Sequence, residues 1–250
     1  MFFSFLSLFS KKNESEKRMK PLSSRCHPFK PYVIALRSAG LLKSINKKED
    51  FQSKCDTMKR YQKIMSEVSI KMIHMFDPRL VYTFNNELHL VFFINDHGSV
   101  LYGGDILKLV TNMASAASIE LNKHDTLINS HFEGSFYQFD NDEDVANYIV
   151  WRQLDCCRNN MSLLYKCLYA TSNINNLKHN EIIKRIEAQY HKTLENENKF
   201  IKNGTILKKQ IYYVEKSEIM VTRKRVIEEY FKFSDNFEEN YYKYIVNKLL

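Results

Sequence analysis

Apolar side chains recur every three or four positions from residue 50 to 75, at Met58, Tyr61, Ile64, Met65, Val68, Met72 and Met75. This spacing predicts an amphipathic helix whose methionine and aromatic stripe faces a core. Before it, Tyr32-Val33-Ile34-Ala35-Leu36 is a short β-rich run, read as a buried strand. Asp77-Pro78 marks a turn. Two runs follow, Leu80–Phe84 and residues 87–94, separated by Asn85-Asn86. Asparagine tolerates a positive φ, so the pair predicts a tight hairpin.

Gly103-Gly104 opens a second helix over 104–121, with Ile106, Leu109, Val110, Met113, Ala117 and Leu121 on one face. A strand over 132–139 comes next. Asn141 is placed as an N-cap, with Asp142, Glu143 and Asp144 in the first turn where the helix dipole favours acids. That helix is expected to run to Leu168. Residues 171–181 read as a polar loop, 181–190 as a short helix, 205–214 as a strand and 216–250 as a closing helical segment. The order strand, helix, strand, strand, helix, strand predicts an α+β fold. Its core is a ferredoxin-like split βαβ antiparallel sheet with helices on one face.

Composition changes this picture little. The chain has 250 residues, with 6 Gly and 4 Pro, too few for a sandwich of tight turns. The formal net charge is +8. Residues 1–30 hold seven basic side chains and two acids, so most of that charge lies at the start. A basic end suits RNA phosphates or a solvated arm. The apolar run Met1–Ser10 is too short to span a bilayer and precedes its lysines, so neither a membrane span nor a secretory signal is expected. The five cysteines carry no paired C-x-x-C spacing, which suits small core residues in a reducing compartment. Asp140, Asp142 and Asp144 read as capping residues.

Several segments carry a resemblance. They are residues 28–34, Met75–Thr83, Glu87–Phe92, Leu101–Leu109 and residues 141–162, the last containing Trp151-Arg152-Gln153-Leu154-Asp155-Cys156 and Arg158-Asn159. Asn203-Gly204-Thr205 with Lys208-Lys209 follows. In this order they resemble the tRNA(His) guanylyltransferase family, the reverse-direction (3′-5′) nucleotidyltransferases. The resemblance implies a polymerase-palm-like fold and nucleotide addition to a tRNA 5′ end. It implies tRNA and GTP or ATP as partners, a homo-oligomer (a tetramer in the family) or a paralogue partner, and an intracellular site in cytoplasm or nucleus. It also implies two Mg²⁺ ions, which act on the attacking and leaving oxygens.

The sequence departs from the family at the metal positions. The first strand should end Leu-Asp-Gly, and this chain reads Leu36-Arg37-Ser38. The hairpin should carry Ser-Asp-Glu, and this chain reads Asn85-Asn86-Glu87. Mg²⁺ needs carboxylate oxygen at fixed positions. An arginine there adds like charge, costing about 4 kcal/mol per unit-charge pair at an effective dielectric of 20, and a dication roughly doubles that. Ala35 stands where the family has an arginine, and 171–176 replaces a basic, histidine-containing segment.

Catalysis is therefore expected to be impaired or absent, with Mg²⁺ weakly bound or not bound and no metal ligands assigned. Glu87, the one acid left in the two motifs, reads as a surviving catalytic acid or as half of a buried ion pair with Arg37. Ser38, Asn85, Arg158 and Asn159 are candidate nucleotide contacts. For Arg158 and Asn159 the alternative is structural bonding within the helix, and Arg152 with Asp155 reads as an i, i+3 salt bridge. Asp77, Asp96 and Glu87 are the acids that relocated catalysis would use. The expected organisation is a basic, disordered extension (1–27), a palm-like domain (28–170), and C-terminal helices and a strand packed on the palm (171–250).

Overall fold

A central strand, β1 (Tyr32–Ser38), lies between β3 (Glu87–Phe92) and β4 (Phe132–Gln138) in the computed structural model. The structure describes residues 24–38, 50–93, 96, 99–124, 130–169, 177–190, 199–216 and 219–249. The expected features at residues 1–23, and the replaced segment 171–176, lie outside them. From Ser24 onward the expected extension is docked: Ile106 N–H donates to Ser24 O at 3.0 Å and Cys26 N–H to Gly104 O at 2.9 Å.

The sheet has six strands in the order β4-β1-β3-β2-β5-β6, with β2 at Leu80–Phe84, β5 at Thr205–Lys216 and β6 at Ile219–Glu229. Every pairing is antiparallel. The first four strands have the split βαβ order. Its crossovers are α1 (Phe51–Phe76) and α2 (Ile106–His124). Asp50 caps α1 by accepting from Ser53 N, and Asp77 ends it with φ 52. Of the methionine stripe, Met58, Met65 and Met72 are buried, whereas Met75, the penultimate residue of the helix, is exposed.

Strand alternation assigns each face. Tyr32, Ile34 and Leu36 of β1 and Leu88, Leu90 and Phe92 of β3 join one core with Met65, Val68, Leu109 and Met113 of the crossover helices. Each such side chain contributes about 1.5–3 kcal/mol by leaving water. Gly134 lets α2 approach β4, since a Cβ there would meet Val110 Cγ1 at 2.5 Å.

The second face is not left bare, as helices on one face alone would leave it. Val33, Tyr82, Phe84 and Val91 pack against Val145, Ile149 and Cys156 of α3 (Asp142–Leu168) and against Phe233, Tyr244 and Ile245. Asn141 caps α3, its side chain accepting from Asp144 N at 2.9 Å. The expected closing helical segment is helical only at 233–246; the preceding Ile219–Glu229 is a strand paired with β5. Two shorter helices, α4 (His179–Tyr190) and α5 (Lys199–Asn203), lead into β5.

The C-terminal turn is anchored by two buried basic side chains, Arg79 and Lys208, the latter with its pKa lowered by burial to about 7. Lys208 Nζ donates to Tyr244 O at 2.8 Å and Lys243 O at 3.0 Å, and also to Asn247 O. Arg79 donates to Ile245 O and Val246 O at 2.5 Å each and grips both oxygens of Asp96 at 2.7 Å. Positive groups at the carbonyl end of a helical turn satisfy its unpaired acceptors. Among the described residues, no helix is long and apolar enough to cross a membrane.

Candidate functional site

The end of β1 and the Asn85-Asn86 turn meet at one corner of the sheet. Asn85 takes φ 46, the left-handed value that the tight hairpin needs. Across the strands Arg37 is in register with Glu87 of β3 on one side and Glu133 of β4 on the other. Ser38 N–H donates to Asn86 O at 2.8 Å, and the Asn86 side-chain amide donates back to Ser38 O. The two strand ends are thus stitched directly to each other by hydrogen bonds.

Glu87 has a partner that sequence spacing does not reveal. Arg152, in the middle of α3, donates from Nη2 to Glu87 Oε2. Both side chains are largely buried, at 9% and 13% exposure. Arg37 is not the buried partner that the strand pattern predicts. Its Nε is 3.7 Å from Glu87 Oε1, and its side chain is 70% exposed. The reason is geometric: α3 crosses the second face of the sheet and delivers its guanidinium from above, whereas Arg37 leaves the strand end toward solvent.

His89 completes the cluster. It lies two residues from Glu87 on the same face, with Nε2 3.2 Å from Glu87 Oε2 and Nδ1 2.8 Å from the Tyr148 hydroxyl. An ionised carboxylate only accepts, so Nε2 carries the proton and Nδ1 accepts from Tyr148. Burial lowers the His89 pKa, and the Arg152 charge lowers it further against the pull of Glu87, so the ring is neutral near pH 7. Burial also pushes the Glu87 carboxyl up, but the His89 hydrogen bond and the nearby Arg152 and Arg37 outweigh it, and the pKa falls below the ordinary range. The Tyr148 phenol is raised, chiefly by burial, and stays protonated.

The network continues along α3. Asp155 is ion-paired with Arg152 Nη1 at 3.1 Å and accepts from Arg158 Nη2 at 3.4 Å and Asn159 Nδ2 at 3.2 Å. The i, i+3 bridge from Arg152 is therefore present, and Arg152 spans two acids. Arg158 and Asn159 both bond within the helix. The Ser38 hydroxyl points away from this face into the α1 core, where it meets Tyr61 Oη and Ser130 Oγ, each at 2.8 Å. As a side-chain contact for a nucleotide it is therefore on the wrong side of the sheet. Asp77 pairs with Lys209, and Asp96 with Arg79, at the opposite end of β2 and β3 from the hairpin. Neither reaches the junction, so of the three acids open to relocated catalysis only Glu87 stands there.

A pocket of about 310 Å³ opens on this corner, lined by Ala35, Arg37, Glu87, His89, Glu133, Ser135, Tyr137, Tyr148 and Arg152. His89 and Tyr148 escaped the sequence reading. A usable signal was there: Glu87 and His89 share a face at strand period two, and Tyr148 and Arg152 share one at i, i+4.

These residues do not fit a pair of Mg²⁺ ions. Of the two carboxylates at this corner, Glu87 already accepts from Arg152 and His89 and Glu133 is 80% exposed, the side chain between them is the Arg37 cation, and the Asn86 amide is spent on Ser38. Among the described residues, no group of three or more His, Cys, Asp or Glu is arranged to hold a metal.

Other motif residues are structural. Gln153 donates to Asn203 O at 3.1 Å and Phe231 O at 2.8 Å and accepts from Phe233 N–H at 2.7 Å. Gly204 has φ +69, and a Cβ there would lie 2.5 Å from Tyr82 Oη.

No family model matches the chain. An uncharacterised protein of Acanthamoeba polyphaga mimivirus is 24% identical over 185 residues, covering 61% of this chain. The match covers 62% of that relative, so the chain spans less than two thirds of its length. A bacterial tRNA(His) guanylyltransferase-like protein in complex with ATP superposes with TM-score 0.72 at 14% identity, covering 96% of this chain and 100% of that one. A bacterial tRNA(His) guanylyltransferase-like protein in complex with GTP gives 0.68 at 18% identity, covering 94% and 99%. The tRNA(His) guanylyltransferase from Saccharomyces cerevisiae gives 0.59 at 12% identity, covering 84% and 96%. The chain has the palm-like α+β fold of these proteins, the fold that the sequence resemblance implies.

Proposed function

We propose that this chain is a tRNA(His) guanylyltransferase-family protein in which metal-dependent 5′-end nucleotide addition is lost or severely impaired, and which keeps its fold to bind tRNA and nucleotide. One observation carries this reading: the junction that would hold two dications is closed by protein bonds. Arg152 and His89 occupy the Glu87 carboxylate, and the Asn86 amide occupies the Ser38 carbonyl. Phosphoryl transfer of this kind works by positioning and charge neutralisation, and a carboxylate already neutralised by protein groups has no charge left for the ions that do it. The nucleotide complexes of the structural neighbours support nucleotide as a ligand class, and their tRNA(His) names support tRNA as the partner. That partner implies an intracellular setting. A second copy or a paralogue is the natural supplier of whatever activity this chain lacks.

The test is direct. Purified protein with Mg²⁺, GTP or ATP and a 5′-monophosphorylated tRNA is expected to add no nucleotide while retaining tRNA in a binding assay. Labelled addition that disappears in Glu87→Ala would overturn the reading and identify Glu87 as a working acid.

A further inference from the structure

The inference rests on the family reading above and concerns the same notch. We propose that this notch binds the phosphate of a nucleotide without a divalent cation, with Arg37 supplying the positive charge and Tyr137 receiving the base. Arg37 has charge to spare. The carboxylate beside it is already met by Arg152 and His89, and its own contact with Glu87 is long, at 3.7 Å, on a side chain 70% exposed. Its backbone is held on both sides by the β3 and β4 ladders, so the guanidinium starts from a fixed base. A planar guanidinium suits phosphate oxygens two at a time.

The rest of the pocket has the shape for the other end of such a ligand. Tyr137 lines it, is 45% exposed, and is backed by Tyr148 with ring centroids 5.7 Å apart. An exposed ring braced from behind is a stacking platform for a base. Tyr137 pairs with Val33, four residues from Arg37 on the same face of β1, or about 13 Å along the strand. Between them the floor is made of Ala35 and Ser135, two small side chains in register. A nucleotide laid along this floor reaches from Tyr137 to Arg37. The pocket volume of about 310 Å³ is at the small end of ligand sites.

Glu133 is the opposing feature. It flanks Arg37 on β4, its side chain is 80% exposed, and its ion-pair contact is with His131 at 4.0 Å. Its charge stands at the mouth where an anion enters, so removing it favours binding.

The probes are ATP, GTP and a 5′-monophosphorylated RNA oligonucleotide, titrated calorimetrically into the full chain in EDTA and in excess Mg²⁺. The expected result is binding of at least one probe in EDTA with an affinity within about threefold of that in Mg²⁺. Arg37→Ala should weaken it by about tenfold or more, as loss of a charge-assisted contact does. Tyr137→Ala should weaken it as well, and Glu133→Gln should strengthen it. Because Arg37 is exposed, an unchanged thermal melt for Arg37→Ala separates lost binding from lost fold. Whichever probe binds more tightly identifies the source of the phosphate, free nucleotide or RNA end. Binding that appears only with Mg²⁺, binding of none of the three probes in EDTA, or wild-type affinity in Arg37→Ala would overturn the proposal. Nucleotide addition in Mg²⁺ would overturn the reading of lost catalysis instead, leaving the EDTA titration to decide this one.

Discussion

The guanidinium of Arg152, in the middle of α3, closes on the carboxylate of Glu87 at the first position of β3, across 65 positions of sequence. That contact ties the helix covering the second face of the sheet to the strand end where the family places its chemistry. The same guanidinium also holds Asp155 and lies 5.1 Å from the Phe84 ring and 4.8 Å from the Trp151 ring. Arg152 is therefore the hub of the cluster.

Removing one side of this pair strands the other. Arg152→Ala should destabilise the fold by about 3–5 kcal/mol, because it leaves a largely buried carboxylate without its cation. Replacing both partners, Arg152→Met with Glu87→Leu, should recover most of that loss. Urea denaturation of the three proteins checks it; a single variant within about 1 kcal/mol of the parent, well short of that cost, would contradict the role.

Acid should weaken this cluster in two steps. His89 is held neutral in the fold, with its pKa below the ordinary 6.5, so the unfolded chain takes up a proton first. Stability therefore begins to fall as pH drops through 6.5. The Glu87 pKa is depressed in the fold, so its contribution is complete above the ordinary carboxylate range and is lost as pH falls through the lower folded value. Thermal melts from pH 7.5 down to about pH 2, well past the ordinary carboxylate pKa of about 4, should show both losses. His89→Gln should flatten the first part only; an unchanged profile in that variant would rule out His89 as its source.

Restoring the family carboxylates should restore metal affinity at a structural cost. Arg37→Asp with Asn86→Asp should melt at a lower temperature than wild type, since the Asn86 amide bond to Ser38 is lost. It should then gain thermal stability on addition of Mg²⁺, which wild type should not. Absence of any Mg²⁺-dependent shift in the double variant would mean that these two positions are not the whole defect.

Gly204→Ala should destabilise the joint between α5 and β5. The residue sits at φ +69, and its new Cβ would press on the Tyr82 ring, which is fully buried and donates to Asn203 O at 2.9 Å. Positive φ strain of about 1–2 kcal/mol combines with an overpacking cost of about 1–3 kcal/mol. A shift of the urea midpoint to lower concentration at constant slope is the expected result, and an unchanged midpoint would contradict it.

Local patterns were legible in the chain because they depend on neighbours a few residues apart. The α1 and α2 stripes, the alternation of β1 to β3, the Asn141 cap and the left-handed Asn85 all follow from spacing or backbone sterics. The identities of Arg37 and Asn86 at the two strand ends are facts of covalent structure. The ribbon strand β6 was not legible. Its β-branched and charged residues fall in blocks with no period of two, and pairing with β5 decided for the strand.

The sequence by itself determined that the corner between β1 and the hairpin carries a cation and an amide, where the resemblance implies two carboxylates. Only the tertiary structure decided which cation neutralises Glu87. A one-dimensional register pairs Arg37 with Glu87, and the two are indeed opposite each other. Yet a strand-end side chain with a path to water keeps its hydration, while Arg152, already buried against Phe84 under α3, has no better partner than the carboxylate below it. Desolvation made the choice, and desolvation depends on how the helix lies across the sheet.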